Sequence, residues 1–301
     1  MIGIKEARPL DKKRAAIDPK EVCQFFIKLN ERIETLGHPS LLVNADESGF
    51  QRRFDKGRSK KVVYFRSCTV EPRYYETIDS HHLTLMGAVS GDCSKLKPFV
   101  LSTKNIPKDI QNSVLFSQMI FRKTKKGYMT KESFREWVIT VFIPYIEHKR
   151  KKFALKPQNS HAILLLDNLS THSDEEISDL MSAHDFEVIF YPPNCTHILQ
   201  CLDIGIFGTM KRMYYDSITE HKCLIDKLSR KIDHAITCFI RAATKMNIQS
   251  AWSSSGLTCV IGSDGAVTKI HANITKIKKI IHKINKNQFS NEEITALLGM
   301  N

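Results

Sequence analysis

The sequence predicts an α/β fold, a mixed sheet flanked by helices, with a helical C-terminal extension. Three observations predict it. Short apolar runs follow one another in the first third, strands and helices alternate in the middle, and the last third repeats apolar residues at three- and four-residue intervals. The early strands imply an antiparallel meander, and the later alternation implies parallel crossovers. A length of 301 residues with 42% apolar content suffices for one large or two medium domains with a real core.

Taken in order, Pro19 opens a helix whose apolar positions Val22, Phe25, Phe26 and Leu29 recur at three and four, and Gly37-His38-Pro39 ends it. Leu41-Leu42-Val43 is a short buried strand leading to Asp46. Val62-Val63-Tyr64-Phe65 reads as a strand from its β-branched and aromatic content, as do His82–Val89 and Leu96–Leu101. Residues 104–128 show no period and carry the basic cluster Arg122, Lys123, Lys125 and Lys126. Thr130 caps a helix bearing Phe134, Trp137, Val138, Val141 and Tyr145 on one side, which Pro144 kinks or ends.

Ala162–Leu166 is a continuous apolar strand ending at Asp167. Ser173 with Glu176 forms a capping-box pattern ahead of Ile177, Leu180 and Met181. Phe186–Tyr191 is a further strand, stopped by Pro192-Pro193. Helical spacing then runs through Ile206, Phe207, Met210, Met213, Tyr214 and Ile218, through Leu228, Ile232, Ala235, Phe239 and Ala243, and through Ile270, Ile274, Ile277, Ile281 and Ile284 over residues 269–286.

Charge narrows the function. Lysine and arginine number 45 against 32 acidic residues, a net charge of +13, which favours a polyanionic partner. No apolar run approaches the 18 residues of a membrane span, so nucleic acid is preferred over a membrane. Met1-Ile2-Gly3-Ile4-Lys5 has no signal-peptide core. The eight cysteines are scattered without a CxxC pair and read as reduced and buried. Cys195, His197 and Cys201 lack the paired spacing and the fourth ligand of a zinc site.

Three aspartates carry the chemistry. Asp46 closes the first strand, Asp167 closes the strand 162–166, and Asp203 starts a helix that can pack back across the sheet. Three carboxylates so placed can hold two divalent cations, Mg2+ or Mn2+, and such a pair cuts a phosphodiester. Glu47 is excluded, because side chains alternate across a strand. Taken one at a time, an aspartate at a strand end is a turn former or a helix cap.

These segments resemble the DDE-type endonuclease domain of the pogo/Tigger/Jerky transposases, the group related to centromere protein B. The resemblance rests on Asp46-Glu47-Ser48-Gly49-Phe50, on Leu165-Leu166-Asp167-Asn168 with His172, and on Pro192-Pro193-Asn194-Cys195-Thr196-His197 running into Gln200-Cys201-Leu202-Asp203-Ile204-Gly205. Weaker matches are His82–Ala88 and Ala251-Trp252-Ser253-Ser254-Ser255-Gly256. Cys195 and Cys201 stand where the family often has threonine and proline. The resemblance implies an RNase H-like fold with a mixed five-stranded sheet, and metal-dependent DNA cleavage and strand transfer with Asp46, Asp167 and Asp203 as catalytic and metal-holding acids.

Arg52, Arg53, Lys56, Arg58, Lys60, Lys61, His172, His197 and Gln200 are the candidate nucleic-acid-binding residues. His148-Lys149-Arg150-Lys151-Lys152 reads as a nuclear import signal or as a solvated helix end. The expected organisation is a basic helical segment at 1–40, the remnant linker of a missing helix-turn-helix region, an endonuclease domain at 41–222, and a helical extension at 223–301. The expected partners are DNA and a second copy of the chain, with no membrane and no small-molecule cofactor, in the nucleus. A domesticated, catalytically silent DNA-binding or chromatin protein with the same fold is the alternative.

Overall fold

The computed structural model describes residues 17–50, 82–168, 175–220, 227–285 and 289–299. The strand expected at 62–65, the basic stretch 52–61 and the cap at Ser173 lie outside the described residues.

Among the described residues six strands form one sheet: β1 Leu42–Gly49, β2 Leu83–Ser90, β3 Phe99–Ser102, β4 Ile120–Lys123, β5 Ala162–Leu166 and β6 Phe186–Phe190, in the order β4-β3-β2-β1-β5-β6. β2 is antiparallel to β1 and to β3, whereas β5 runs parallel to β1 and β6 parallel to β5. A central strand with a meander on one side and parallel crossovers on the other is the RNase H-like arrangement. The sheet has one strand more than the five expected. The extra one is β4, four residues at the edge, parallel to β3. It follows the one-turn helices α2 Lys108–Gln111 and α3 Val114–Ser117, pieces too short to imprint a period on 104–128.

Two layers cover the sheet because its strands alternate. Val43, Ala45, Leu164 and Leu166 face one core with Phe134 and Trp137 of α4 Lys131–Trp137 and Ile146 of α5 Ile143–Lys152. Thr130 caps α4 through Ser133, as its position predicts. Pro144 has no N–H to donate, and the backbone widens into a π-helical stretch at Val138–Phe142 just before it. At the end of α5, Lys149 is buried, its Nζ 2.6 Å from Asp92 Oδ2. Arg150 donates to the carbonyls of Ser160, His184 and Asp185, so two cations of the expected import run are tied into the fold.

The opposite core takes Leu42, Leu83, Leu85, Ile163 and Leu165 from the sheet. Against them pack α1 Pro19–Glu34, α7 Thr196–Leu199, α8 Phe207–Glu220, α9 Leu228–Ala242 and α10 Lys245–Ser254. Asp18 accepts from Lys20 N–H to cap α1, and Val22, Phe25, Phe26 and Leu29 are its buried stripe. α6 Glu175–Ala183 connects β5 to β6.

The helix expected over 269–286 is corrected at its start. Leu257–Ile261 and Val267–Ala272 pair as an antiparallel hairpin, β7–β8, and α11 begins only at Ile274 and runs to Asn285. Val267, Thr268 and Ile270 are β-branched residues that favour a strand, and Gly265, at φ +74°, forms the turn that a side chain would resist. α12 Asn291–Leu298 and α11 pack on α1. Among the described residues no helix is long and apolar enough to cross a membrane.

Candidate active site

The register explains how two of the aspartates meet. Asn44 of β1 lies opposite Leu165 of β5 in the parallel ladder. Two residues further on each strand stand Asp46 and Asp167, on the same face by alternation and one strand spacing apart, about 4.8 Å between backbones. That face is the one covered by Leu202, Ile206 and Phe207, so the segment bearing Asp203 approaches from above. Leu202–Ile206 is a π-helical turn that closes with the Phe207 N–H on the Leu202 carbonyl and leads into α8. Asp203 is exposed on it.

Asp46 carries the electrostatic signature of this convergence. Its carboxyl is pushed well above the ordinary value, first by burial and then by the charges of Asp203 and Asp167. The Glu47 N–H donates to Asp46 Oδ1 at 2.7 Å and opposes the shift. The charge of Glu47, one residue on and so on the other face, is the weakest of these influences. Asp46 keeps a narrow opening to solvent within a surround of protein. Tyr191 is 3% exposed, and burial first, then the nearby acids Asp46 and Asp203, push its phenol well above the ordinary value.

Sequence reasoning missed the residues that lock this geometry. Asn44, fully buried, donates from Nδ2 to the Leu165 carbonyl at 3.2 Å and accepts the Leu202 N–H on Oδ1 at 3.1 Å. One amide thus ties together β1, which carries Asp46 in mid-strand and runs on to Gly49 rather than closing at Asp46 as expected, the strand that ends just before Asp167, and the turn holding Asp203. Gln200, expected to touch nucleic acid, is instead 1% exposed, and its Nε2 donates to the Ala45 carbonyl at 3.2 Å. A polar residue in a strand otherwise apolar, Asn44 among Leu41-Leu42-Val43 and Ala45, was the signal available.

Two glycines permit the close approach. Gly87 pairs with Asp46 in β2, and a Cβ there would meet Phe239 at 2.9 Å and Phe207 at 3.2 Å. At Gly205 a Cβ would stand 2.6 Å from the Ala251 Cβ. α10 is fixed in turn by Trp252, whose Nε1 donates to the Ser90 carbonyl.

His197 is half-buried on α7, ahead of Gln200. Arg52, Arg53, Lys56, Arg58, Lys60, Lys61 and His172 lie outside the described residues. Among the described residues no three His, Cys, Asp or Glu side chains stand in the closed arrangement of a preformed metal site. What the three aspartates share is an electrostatic neighbourhood of carboxylate oxygens. That donor chemistry fits a hard cation such as Mg2+ or Mn2+, and the repulsion on Asp46 is what such a cation would relieve.

The family profile described as DDE superfamily endonuclease matches residues 80–255, more than half of the chain. The chain belongs to the DDE superfamily endonucleases. Within this superfamily it is similar to Tigger and Jerky proteins. Tigger transposable element-derived protein 7 of Homo sapiens is 25% identical over 123 residues, 40% of this chain and 22% of the relative. Jerky protein of Mus musculus is 26% identical over 214 residues, 70% of this chain and 36% of the relative. This endonuclease chain therefore spans well under two thirds of the length of either. Among solved structures, a pre-cleavage Mos1 transpososome aligns with a TM-score of 0.43 and 11% identity, covering 85% of this chain and 66% of that one. Asp167 and Asp203 fall inside the matched DDE range, and Asp46 precedes it.

Proposed function

We propose that the chain is the catalytic domain of a transposase-derived endonuclease that binds DNA in the nucleus. It cuts one strand with the help of Mg2+ or Mn2+ and passes the freed 3′ hydroxyl to target DNA. The reading rests on the parallel register that sets Asp167 one strand over from Asp46 and on the Asn44 bond that holds the Asp203 turn against β1, in a chain of net charge +13. Mutual repulsion among acids is costly in a neutral-pH fold unless a cation joins them.

Asp46, Asp167 and Asp203 would hold the two cations. When bound, such ions supply Lewis acidity and neutralise charge on the phosphate. Asn44 and Gln200 act as positioning residues, keeping the Asp203 turn on β1. Tyr191, neutral and buried near the acids, adds no charge to theirs. His197 and the basic run Arg52, Arg53, Lys56, Arg58, Lys60 and Lys61, with His172, supply the contacts to DNA, which hold the strand without reading its sequence.

The test is nicking of supercoiled plasmid in Mg2+, in Mn2+ and in EDTA, with Asp46→Asn, Asp167→Asn and Asp203→Asn compared one by one. Cation-dependent nicks from the parent and none from any of the three support the proposal. A chain that binds DNA with a steep salt dependence but never nicks it belongs to the silent DNA-binding reading instead. A fluorescent fusion retained outside the nucleus would sink the assigned compartment.

A further inference from the structure

A second basic site stands at the same end of the sheet as the acids. The C-terminal ends of β1, β3 and β4 and the start of β2 share one edge: Gly49 pairs with Thr84, Thr84 with Leu101 and Leu101 with Arg122. Three strand spacings separate β1 from β4, about 14 Å, and Asp46 lies three residues back along β1, about 10 Å. The diagonal is about 17 Å, a distance that a few nucleotides of one strand can span.

At that edge β4 runs into a turn closed by the Gly127 N–H on Thr124 Oγ1 at 2.9 Å. Gly127 has φ +72°, and a Cβ would press on the His82 backbone, so the turn sits directly against the start of β2. Between this turn and the first residues of α4 opens a cavity of about 750 Å3, the size that takes a small ligand such as one nucleotide. Lys123, Lys125, Lys126 and Tyr128 line it on the turn side, and Glu132 and Glu136 line it on the α4 side. Arg122 is paired with Glu136. Lys123, Lys125 and Lys126 are exposed, and among the described residues no ion pair engages them. Tyr128 rests on the His82 ring at 4.0 Å between centroids while remaining 49% exposed.

An ordinary solvated loop has lysines. It does not also need a cavity, a supported aromatic ring with an open face and a place on the edge that bears the acids. Cations flanking an exposed ring are how proteins hold unpaired nucleic acid, since every base offers a face to stack and every step a phosphate. We infer that this pocket is a strand-binding subsite, in which Tyr128 stacks an unpaired base and Lys123, Lys125 and Lys126 hold the phosphates of the single DNA strand leading away from the cut. The inference rests on the endonuclease reading above for the identity of the strand.

The subsite is tested by fluorescence polarisation of the full chain in EDTA, with a labelled single-stranded oligonucleotide and its duplex, across a salt series. Tyr128→Ala weakens single-strand binding by about tenfold, Tyr128→Phe leaves it unchanged, and neither alters duplex binding by as much. The pair Lys125→Ala and Lys126→Ala lowers the single-strand salt slope by about 1.4, at about 0.7 for each phosphate left without its lysine. Lys151→Ala with Lys156→Ala, exposed lysines at and just beyond the end of α5, removes equal charge and leaves the slope alone. Unchanged binding in Tyr128→Ala, or an equal loss from the control pair, overturns the subsite. The outcome is separable from plasmid nicking. Patch variants that lose strand affinity in a parent that does not nick keep the subsite and remove the endonuclease. Patch variants that bind like a nicking parent do the reverse.

Discussion

At Asp46, burial and the charges of Asp203, Asp167 and Glu47 all oppose ionisation, and the Glu47 N–H favours it. Replacing the carboxylate by an isosteric amide removes that repulsion. Asp46→Asn is therefore expected to melt at a higher temperature than the parent in EDTA, while its nicking falls to background and its melting no longer responds to Mg2+. Calorimetry with and without Mg2+ checks this, and a variant less stable than the metal-free parent would contradict it. Asp92 shows the opposite balance. Burial pushes its carboxyl up, but hydrogen bonds from the Lys149 ammonium and the Ser90 hydroxyl overrule that and hold it below the ordinary carboxylate range. Both side chains are 11% exposed, so removing one leaves a charge stranded. Lys149→Met should cost about 3–5 kcal/mol at neutral pH. A depressed carboxyl stabilises above its unfolded value and loses that stability as pH falls through the folded one. The gap between parent and variant should thus narrow below the ordinary carboxylate range, as urea melts at neutral and acid pH would report.

At the scale of the elements, the Asp203 turn depends on how closely it can lie against α10. The Cβ of Ala251 fills the space that a side chain at 205 would need. Gly205→Ala should destabilise by about 1–3 kcal/mol through overpacking and reduce nicking as the turn lifts. Adding Ala251→Gly to it should recover much of both, a coupling that a double-mutant cycle of melting and nicking measures. If the double variant shows only the sum of two losses, the turn is not held in this way. Long periodic elements such as α1, α4 and α9, and the apolar strands β5 and β6, were legible in the sequence because their burial patterns repeat over several turns or residues. The aspartates stood out in the sequence because each ends an apolar run or opens a helix, and their role is what the nicking assay tests. β4 and the β7–β8 hairpin were not, since four to six residues carry too little period to outweigh a neighbouring isoleucine repeat. Asn44 and Gln200 escaped for another reason: their partners are backbone groups more than 100 positions away, as with the 121 positions between Asn44 and Leu165, and no local pattern encodes them.

Over the whole molecule, the sheet and the C-terminal helices share one core. Ile232, Ile236 and Phe239 of α9 and Trp252 of α10 are buried in the cluster that contains Leu83, Leu85 and Val89 of β2. α1 completes that layer by packing on β8, α11 and α12, so segments from both ends of the described chain meet over it. A boundary at 222, natural from sequence, would cut through this cluster. Each of those four side chains is worth about 1.5–3 kcal/mol when buried, so deleting them forfeits about 6–12 kcal/mol. A folded domain holds about 5–15 kcal/mol in total. A chain ending at residue 222 should accordingly fail to unfold cooperatively, and a protease should digest the sheet segment that the parent protects. Restoring residues up to 261 would return Trp252 to the Ser90 carbonyl but leave β7 without its partner strand and α1 without its cover. That intermediate chain should be folded yet clearly less stable than the parent, by an amount the same melts would measure. A cooperative, protease-resistant chain ending at 222 would show that the sheet stands alone, and that α9 and α10 are additions to the endonuclease fold rather than part of what holds Asp203 over Asp46.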